Sequence, residues 1–230
     1  VTGVEVLSRL ELASFPEHYY HGWHDTATYG VFGAAAAASA VLGLGREATT
    51  NALGVAASCA AGLRKNNGTM TKPFHAGHAA SDGLRAALLA REGFTAHDEI
   101  LEGEIGFGEV YSPDGYDSAT LDTFGEEWHL LDYGYKPFPG ITFCHAAQTG
   151  LRELVSREDL APDDVAAVTV QLAERAYETL PNEEPTDPFA GIASIEFAVA
   201  TILRDRDHGL EQFSTDYVTD PETRAQMAKV

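Results

Sequence analysis

A lysine and a histidine, residue types that can bind an anion or transfer a proton, lie three residues apart in the stretch 70–80. This stretch reads Met-Thr-Lys-Pro-Phe-His-Ala-Gly-His-Ala-Ala. The turn-forming Asn66-Asn67-Gly68 precedes Lys72 and His75, and small residues typical of a helix follow them. Free backbone N–H groups and the positive dipole end make a helix N-terminus favourable for anions such as carboxylates. The alternative is an ordinary helix that starts at Pro73 and carries surface histidines, because proline is common at the first helical position.

Four helices are predicted to position these residues, from the spacing of their apolar side chains. The second is rich in alanine and glycine and has almost no large polar side chains. Small residues let neighbouring helices approach closely, so we expect it to be a buried central helix. The predicted helices span Val4–Ala13, Asp25 or Thr26 to about Leu44, Arg46–Leu63 and Pro73–Glu92.

The sequence pattern changes after Trp128 to strand-like segments that alternate with helical ones. Val165–Leu172 places Val168 and Val170 on one face, which predicts a strand. We therefore expect a domain boundary near residue 130. The other predicted segments are an extended Leu130–Phe138, a helix over His145–Val155 and a helix over Ala190–Leu203.

The charge of the chain excludes nucleic acid as a partner. The 35 acidic and 15 basic residues give a formal net charge of −20, whereas phosphate contacts need clustered Lys and Arg. Since the acidic residues are spread along the chain, we expect either adaptation to high salt, which screens self-repulsion, or an ordinary acidic cytosolic protein. No stretch of about eighteen or more apolar residues occurs, so no membrane span is expected.

The termini and the cysteines bear on where the protein works. Cys59 and Cys144 lack the Cys-x-x-Cys spacing of zinc or redox sites. No signal-peptide pattern is visible at the start, so we expect a cytoplasmic protein. The chain begins without Met and within a helical pattern, which suggests that it was cut from something longer.

Nucleotide and metal motifs are weak in this sequence. Residues 103–108 contain three glycines but do not have the Gly-x-Gly-x-x-Gly form. Asp114 and Asp117 lack the spacing of a calcium loop. No His-x-x-x-His pair comes with a carboxylate in a ligand-like arrangement. We therefore expect neither a metal ion nor a cofactor.

Five segments occur in a distinctive order: Gly22-Trp23-His24-Asp25-Thr26, Leu42-Gly43-Leu44 after the alanine-rich helix, Thr71-Lys72-Pro73-Phe74-His75-Ala76-Gly77, Leu101-Glu102-Gly103 with Gly106-Phe107, and Tyr135-Lys136-Pro137-Phe138-Pro139. Together they resemble the MmgE/PrpD family, which includes 2-methylcitrate dehydratases, cis-aconitate decarboxylases and iminodisuccinate epimerases. The similarity covers nearly all of the 230 residues. It is specific for the family but not for the reaction.

The resemblance implies a mainly α fold with two domains. An all-helical domain would occupy residues 1–130 and part of a smaller α+β lid domain residues 131–230, with the active site in the cleft between them. It also implies that the chain is truncated at both ends, because the family's upstream Asp-rich, His-containing segment does not occur in it. Part of the catalytic set would then lie outside this sequence.

The resemblance also implies which residues act. His24 matches a family active-site histidine, and an imidazole titrates near neutral pH, which suits proton transfer. Lys72 and Lys136 match lysines that face the substrate, and two ammonium groups suit a di- or tricarboxylate. His75 and His145 are expected to contact the substrate or to support the catalytic groups. The alternatives are a helix-end histidine for His24 and solvated surface lysines.

The remaining features refine the expected activity. We expect a lyase without a cofactor that dehydrates 2-methylcitrate or a similar hydroxy-tricarboxylate, in a homodimer. Decarboxylation, epimerisation and non-catalytic carboxylate binding stay open as alternatives. Phe197 stands where the decarboxylase and many relatives have a tyrosine, which weakens the decarboxylase interpretation because a phenyl ring cannot donate a proton. The other histidines are expected to be structural or solvent-facing: His18, His21, His78, His97, His129 and His208.

Overall fold

The computed structural model describes residues 1–113 and 115–230, so Asp114, considered above for calcium, lies outside the described residues. The chain divides into two compact units. Unit 1 comprises Val1–Asn66 and Thr71–Gly134, and unit 2 comprises Asn67–Met70 and Tyr135–Val230. Helices dominate the described parts of both units, which confirms the mainly α prediction.

Unit 1 is built from helices joined by short turns. Its α-helices are α1 (Thr2–Ser14), α2 (Glu17–His21), α3 (Asp25–Thr28), α4 (Gly30–Val41), α5 (Arg46–Ala57), α6 (Thr71–Arg91) and α7 (Phe107–Tyr111). Shorter 3-10 turns occur at Arg64–Asn66, Ser118–Leu121 and His129–Asp132. The segment Leu130–Phe138 was predicted to be extended, and this is corrected for its first residues. They belong to the 3-10 turn His129–Asp132, whose backbone forms local hydrogen bonds.

Helix α4 lies at the centre of unit 1, as its small residues predict. It packs against α1, α5 and α6. A Cβ atom on Gly83 of α6 would lie 2.5 Å from both the Cβ of Ala34 and the carbonyl oxygen of Val31. Glycine at this position therefore lets α4 and α6 pack with their backbones nearly touching.

A buried ion pair connects α1 to the loop at the end of unit 1. Arg9 Nε donates to Glu5 Oε1 at 2.8 Å, and both side chains are fully buried. The remaining guanidinium hydrogens are donated to the carbonyl oxygens of Thr120, Thr123 and Glu127 and to the Thr123 hydroxyl. Since burying an unpaired charge is costly, this saturation of the guanidinium lets Arg9 organise residues 117–130 around α1.

Helices also dominate unit 2. Its α-helices are α8 (His145–Arg157), α9 (Glu174–Tyr177), α10 (Pro188–Gly191), α11 (Ile195–Asp205), α12 (Thr215–Thr219) and α13 (Pro221–Met227). Turns of 3-10 helix occur at Thr142–Cys144, Pro162–Asp164 and Leu210–Gln212. Helix α11 is almost wholly buried and packs against α8 and α13.

The strand predicted over Val165–Leu172 is wrong. The described residues of unit 2 contain no strand. Val168, Val170 and Leu172 nevertheless pack against the α8–α11 core, as the alternation predicts. Alternation reports which side chains are buried, whereas a strand also needs a neighbouring strand, and the Val168 N–H instead donates to the Lys229 carbonyl at 2.8 Å.

The single helix predicted over Ala190–Leu203 is also corrected. The structure has two helices here, because Ser194 starts α11 as its N-cap, with its hydroxyl accepting the Phe197 N–H at 3.1 Å. A serine side chain competes with the backbone for such N–H groups and favours a helix start over a helix interior. Among the described residues, no helix combines the length and the hydropathy that a bilayer crossing requires.

Candidate active site

His24 is fixed by a short antiparallel crossing of two chain segments in unit 1. Trp23 and Leu63 form an isolated β-bridge. The His24 N–H donates to the Gly62 carbonyl at 3.0 Å, and the Arg64 N–H donates back to the Gly22 carbonyl at 2.8 Å. His24 has an extended backbone directly before α3, so its side chain leaves the chain at the point where a helix begins.

His75 meets His24 in the interior of unit 1. It lies in the second turn of α6, and its Nδ1 atom is 2.9 Å from the Nδ1 atom of His24. The two ring centroids are 5.1 Å apart with an interplanar angle of 43°. Both residues are at least nine-tenths buried, with 9% and 6% of their surface exposed. The two histidines, 51 positions apart in the sequence, therefore form one hydrogen-bonded pair.

This contact defines the protonation pattern of the pair. A hydrogen bond between two neutral imidazoles needs one Nδ1–H donor and one Nδ1 acceptor. The donating ring then carries a lone pair on its Nε2 atom, and the accepting ring carries a hydrogen there. One member of the pair is thus a base at Nε2 and the other an acid at Nε2. The two roles exchange when the shared proton moves together with a proton gained at the first Nε2 and one lost at the second.

Burial keeps both rings neutral near pH 7. Desolvation, followed by the charges of Lys72 and His75, lowers the pKa of His24 to about 4. Desolvation and then His78 lower the pKa of His75. A buried imidazole resists protonation because the cation loses its hydration. The pair is therefore neutral at physiological pH, a state that is compatible with its Nδ1–Nδ1 hydrogen bond.

Lys72 supplies a positive charge close to the pair. It is the second residue of α6, one turn before His75, and is half-buried. Its charge is among the causes that lower the pKa of His24, which shows that the two groups are near enough to interact. The first turn of α6 adds the positive end of a helix of 21 residues. An anion is the natural ligand for this position.

Gly62 allows the two histidines to approach each other. It has φ of +153°, and a Cβ atom there would lie 2.4 Å from the Cβ of Ala27 and 3.4 Å from the ring of His75. Any larger residue would push on the helix that His24 begins and on the imidazole of His75. Sequence reasoning missed this glycine, which lies next to the last residue of the helix predicted over Arg46–Leu63.

His78, the second histidine of the 70–80 stretch, is not part of the pair. Its side chain is about half exposed, and its Nε2 atom lies 3.1 Å from Asp82 Oδ2. The ring stacks on Phe74 at a centroid distance of 5.2 Å. These contacts agree with the expectation that His78 packs or faces solvent.

Two predicted site residues lie in unit 2. Lys136 is exposed, and its ammonium group donates to the Gly140 carbonyl at 2.9 Å. His145 is the first residue of α8 and is 7% exposed. Desolvation and then the charge of Lys136 lower the pKa of His145, and a hydrogen bond to the Pro139 backbone opposes them. Lys136 and His145 are thus neighbours, as their nearness in the sequence suggests.

The candidate residues therefore form two groups, one in each unit: His24, Lys72 and His75 in unit 1, and Lys136 and His145 in unit 2. Within the described residues, no cluster of three or more His, Cys, Asp and Glu side chains is arranged to hold a metal ion. Sequence reasoning also missed Gln148, which is fully buried one turn after His145. Its spacing of three residues from His145 on a predicted helix was the only available signal.

Comparison with known proteins decides the family. The MmgE/PrpD N-terminal domain matches residues 1–118, and the MmgE/PrpD C-terminal domain matches residues 138–230. The chain belongs to the MmgE/PrpD family. The resemblance based on five segments is thereby confirmed.

The curated relatives of this MmgE/PrpD chain include three cis-aconitate decarboxylases. The proteins from Homo sapiens and Mus musculus are each 30% identical to it, over 99% of this chain and 48% of their own length. The protein from Aspergillus terreus is 29% identical over 84% of this chain and 43% of its own length. The chain spans about half the length of the curated relatives that it matches.

Proposed function

We propose that this chain is the catalytic part of a cofactor-independent lyase that acts on a di- or tricarboxylate, with dehydration of 2-methylcitrate or a similar hydroxy-tricarboxylate as its reaction. The Nδ1–Nδ1 hydrogen bond between His24 and His75 carries this proposal. Dehydration needs a base for the proton next to a carboxylate and an acid for the departing hydroxyl. The histidine pair offers one of each at the same time.

The histidine pair takes up one proton and releases one proton in the proposed reaction. The ring with the Nε2 lone pair takes the proton from the carbon next to a carboxylate. That ring passes its Nδ1 hydrogen to the other ring, which gives its Nε2 hydrogen to the hydroxyl as the carbon–oxygen bond breaks and water leaves. Both rings end neutral with their roles exchanged, so no buried imidazolium has to persist. This suits rings whose pKa values are lowered by burial.

Lysines are proposed to stabilise the charge that develops in this step. Proton removal shifts electron density onto the neighbouring carboxylate, in an enolate-like state. Lys72, close to His24, would hold that carboxylate and stabilise the state electrostatically. Lys136 is proposed as a further contact of a substrate carboxylate, and His145 as a further contact of the substrate.

Decarboxylation of cis-aconitate is the second candidate, because the curated relatives reported above bear that name. It passes through a similar charge next to a carboxylate, so the same lysines and histidines would serve. Phe197 argues against it. Its ring is fully buried against His208 and Phe213 and offers no hydroxyl where a tyrosine is expected in the decarboxylases.

Turnover assays on the full chain distinguish the candidates. Purified protein, treated with a chelator, is incubated with 2-methylcitrate, citrate or cis-aconitate while ultraviolet absorbance of unsaturated product and release of carbon dioxide are followed. Dehydration predicts new absorbance without carbon dioxide, and decarboxylation predicts carbon dioxide from cis-aconitate. Binding of these ligands without turnover of any would replace the lyase proposal with non-catalytic carboxylate binding.

We also propose three properties of the setting in which the protein works. The net charge of −20 supports a cytoplasm rich in salt, for which unfolding temperatures should rise from low to molar KCl. A flat or falling series would contradict this. We also expect a homodimer, and light scattering can measure this oligomeric state. If 2-methylcitrate is the substrate, genes for propionate use are expected next to the gene for this protein.

A further inference from the structure

Gln148 lies completely inside unit 2 without a protein partner. Its exposed surface is 0%, on the face of α8 that also carries His145 one turn earlier. Neither its amide oxygen nor its amide nitrogen has a hydrogen-bond partner among the described residues. Buried polar atoms in native proteins are almost always hydrogen-bonded, because an unpaired one loses the bonds that it made with water. The amide of Gln148 therefore has hydrogen-bonding capacity that the described residues leave unused.

His145, three residues earlier on α8, carries a third unpartnered atom. Its Nε2 is buried and has no partner in the part of the chain that the structure describes. The Pro139 backbone is a hydrogen-bond partner of the ring, and proline offers only a carbonyl, so the imidazole donates to it. Since Nε2 is unpartnered, the donor is Nδ1–H. In the neutral ring, Nε2 then carries a lone pair and acts as an acceptor.

The donors and acceptors of this pair select one kind of group. His145 Nε2 and Gln148 Oε1 accept, and the Gln148 amide N–H donates. A carboxylate can only accept and would face two lone pairs, and an ammonium group can only donate. A hydroxyl-type oxygen does both, so it can donate to an acceptor and accept from the amide.

The charged surroundings do not change this selection. Lys136 is the positive group whose charge acts on His145. Burial, His145 and Asp207 set the pKa of His208, which is lowered to about 4, so this neighbour is neutral near pH 7. The guanidinium of Arg152 lies over the Phe138 ring at 4.8 Å. The positive groups can hold the carboxylates of a ligand while the neutral pair meets its uncharged oxygen.

We propose that Gln148 and His145 form a subsite for one hydroxyl-type oxygen, supplied either by the hydroxyl of the substrate or by a bound water. The first source rests on the proposed function, because a hydroxy-tricarboxylate carries such a group beside its carboxylates. Gln148 would then be a specificity-determining residue that separates hydroxy acids from unsaturated or deoxy acids.

A matched pair of ligands tests the substrate hydroxyl. Citrate and tricarballylate share three carboxylates and differ by one hydroxyl, and calorimetry on the full chain measures their dissociation constants. Wild type is expected to prefer citrate by about tenfold, the value of one hydrogen bond. Gln148→Met should abolish this preference and leave the affinity for tricarballylate unchanged. Gln171→Met, at an exposed glutamine of the same unit, is the control and should keep the preference.

A second readout is independent of substrate. The ¹⁵N chemical shift of His145 Nε2 is measured in ligand-free protein. If the oxygen is a bound water, Gln148→Met should move this shift while the ratio of the two affinities stays as in wild type. If wild type binds neither ligand, the proposed function fails, and the His145 resonance still decides the subsite.

Folded Gln148→Met with an unchanged affinity ratio and an unchanged His145 resonance would overturn the subsite. Gln148→Glu is the second variant, for the case that Gln148→Met does not fold. It keeps the shape of the side chain and one acceptor, and it removes the amide donor. The same loss of citrate preference or movement of the His145 resonance is expected for this variant. If neither change occurs, the proposal is contradicted.

Discussion

The Nδ1 atoms of His24 and His75 are 2.9 Å apart. Because each Nδ1 atom is hydrogen-bonded to the other, the two rings can contact a ligand only through their Nε2 atoms. One comes from a β-bridged segment before α3 and the other from the second turn of α6. Because both are buried, their shared proton is protected from exchange with solvent-borne acids. In this arrangement, one ring has an acidic Nε2–H group and the other a basic Nε2 atom.

Replacement of Lys72 by methionine should raise the pKa of His24. The lysine charge disfavours the imidazolium, so its removal should move the pKa upward from about 4, while desolvation keeps it below the ordinary value of 6.5. Histidine NMR titration measures the change. Lys65→Met is the control, and an equal shift in both variants would contradict a specific effect of Lys72. The affinity for citrate should fall with Lys72→Met alone.

Gly62→Ala should disturb the histidine pair. The new methyl group would lie 2.4 Å from the Cβ of Ala27, at a φ that alanine rarely adopts, so we expect a loss of about 1–3 kcal/mol of stability. The rate should fall as well, because the ring of His75 borders the site. Denaturant unfolding and turnover assays measure the two effects.

The control for this glycine is Gly77→Ala in α6, where nothing lies within 4 Å of the added Cβ. Alanine is the better helix former, so this change should stabilise the protein by about 0.5–1 kcal/mol. If Gly62→Ala were as stable and active as wild type, the close approach at Gly62 would not position the pair.

Arg9→Met should destabilise unit 1 by about 3–5 kcal/mol, because Glu5 would remain as a buried charge without its partner. The loop at 117–130 would also lose the guanidinium donors that hold its carbonyl groups. Chemical denaturation gives the size of the effect. Arg91→Met removes a 49% exposed side chain that pairs with Glu92, which is 72% exposed, and it should cost less than about 1 kcal/mol. Similar costs for both variants would refute the structural role of Arg9.

Stability should fall as the pH decreases from about 6.5 towards 4. His18, His24 and His208 have folded pKa values of about 4, below the ordinary 6.5, so the unfolded chain binds their protons first. Each contributes a slope of up to about 1.4 kcal/mol per pH unit in that window. Asp25 opposes this trend, since burial raises its pKa to about 7 and its contribution to stability is lost as the pH rises.

A variant isolates one of these histidines. His208→Phe, in a site already lined by Phe138, Phe197 and Phe213, should make the acid slope shallower by up to about 1.4 kcal/mol per pH unit. Urea unfolding at several pH values measures the slope. His97→Gln, at a side chain 70% exposed, should leave it unchanged. An unaltered slope in His208→Phe would show that this residue is not held neutral by folding.

The sequence was sufficient for features that depend on local pattern. Small residues in α4 predicted a central helix, and glycines such as Gly83 show how closely a neighbour approaches it. The order of five motifs predicted the family. The helix predicted over Pro73–Glu92 followed from the preceding turn and Pro73, although the helix begins at Thr71, two residues before the proline.

Features that depend on long-range contacts could not be predicted. Nothing in the sequence indicated that His24 would meet His75 at Nδ1, because a contact across 51 positions depends on how α3 and α6 pack. The strand pattern at Val165–Leu172 failed for the same reason, since a strand depends on a partner that may lie anywhere in a chain. Gln148 carried no signal beyond its spacing from His145, because burial of a polar helix residue cannot be read from its own type.

The central claim, that His24 and His75 act as one acid–base unit, is tested by a double-mutant cycle. Turnover of 2-methylcitrate is measured for His24→Asn, His75→Asn and the double variant, with exposed His97→Asn as the control. Loss of either ring should lower kcat by about 10²–10⁴-fold, and loss of both should cost no more than the worse single change. Losses that multiply, or a folded single variant with wild-type kcat, would contradict the claim.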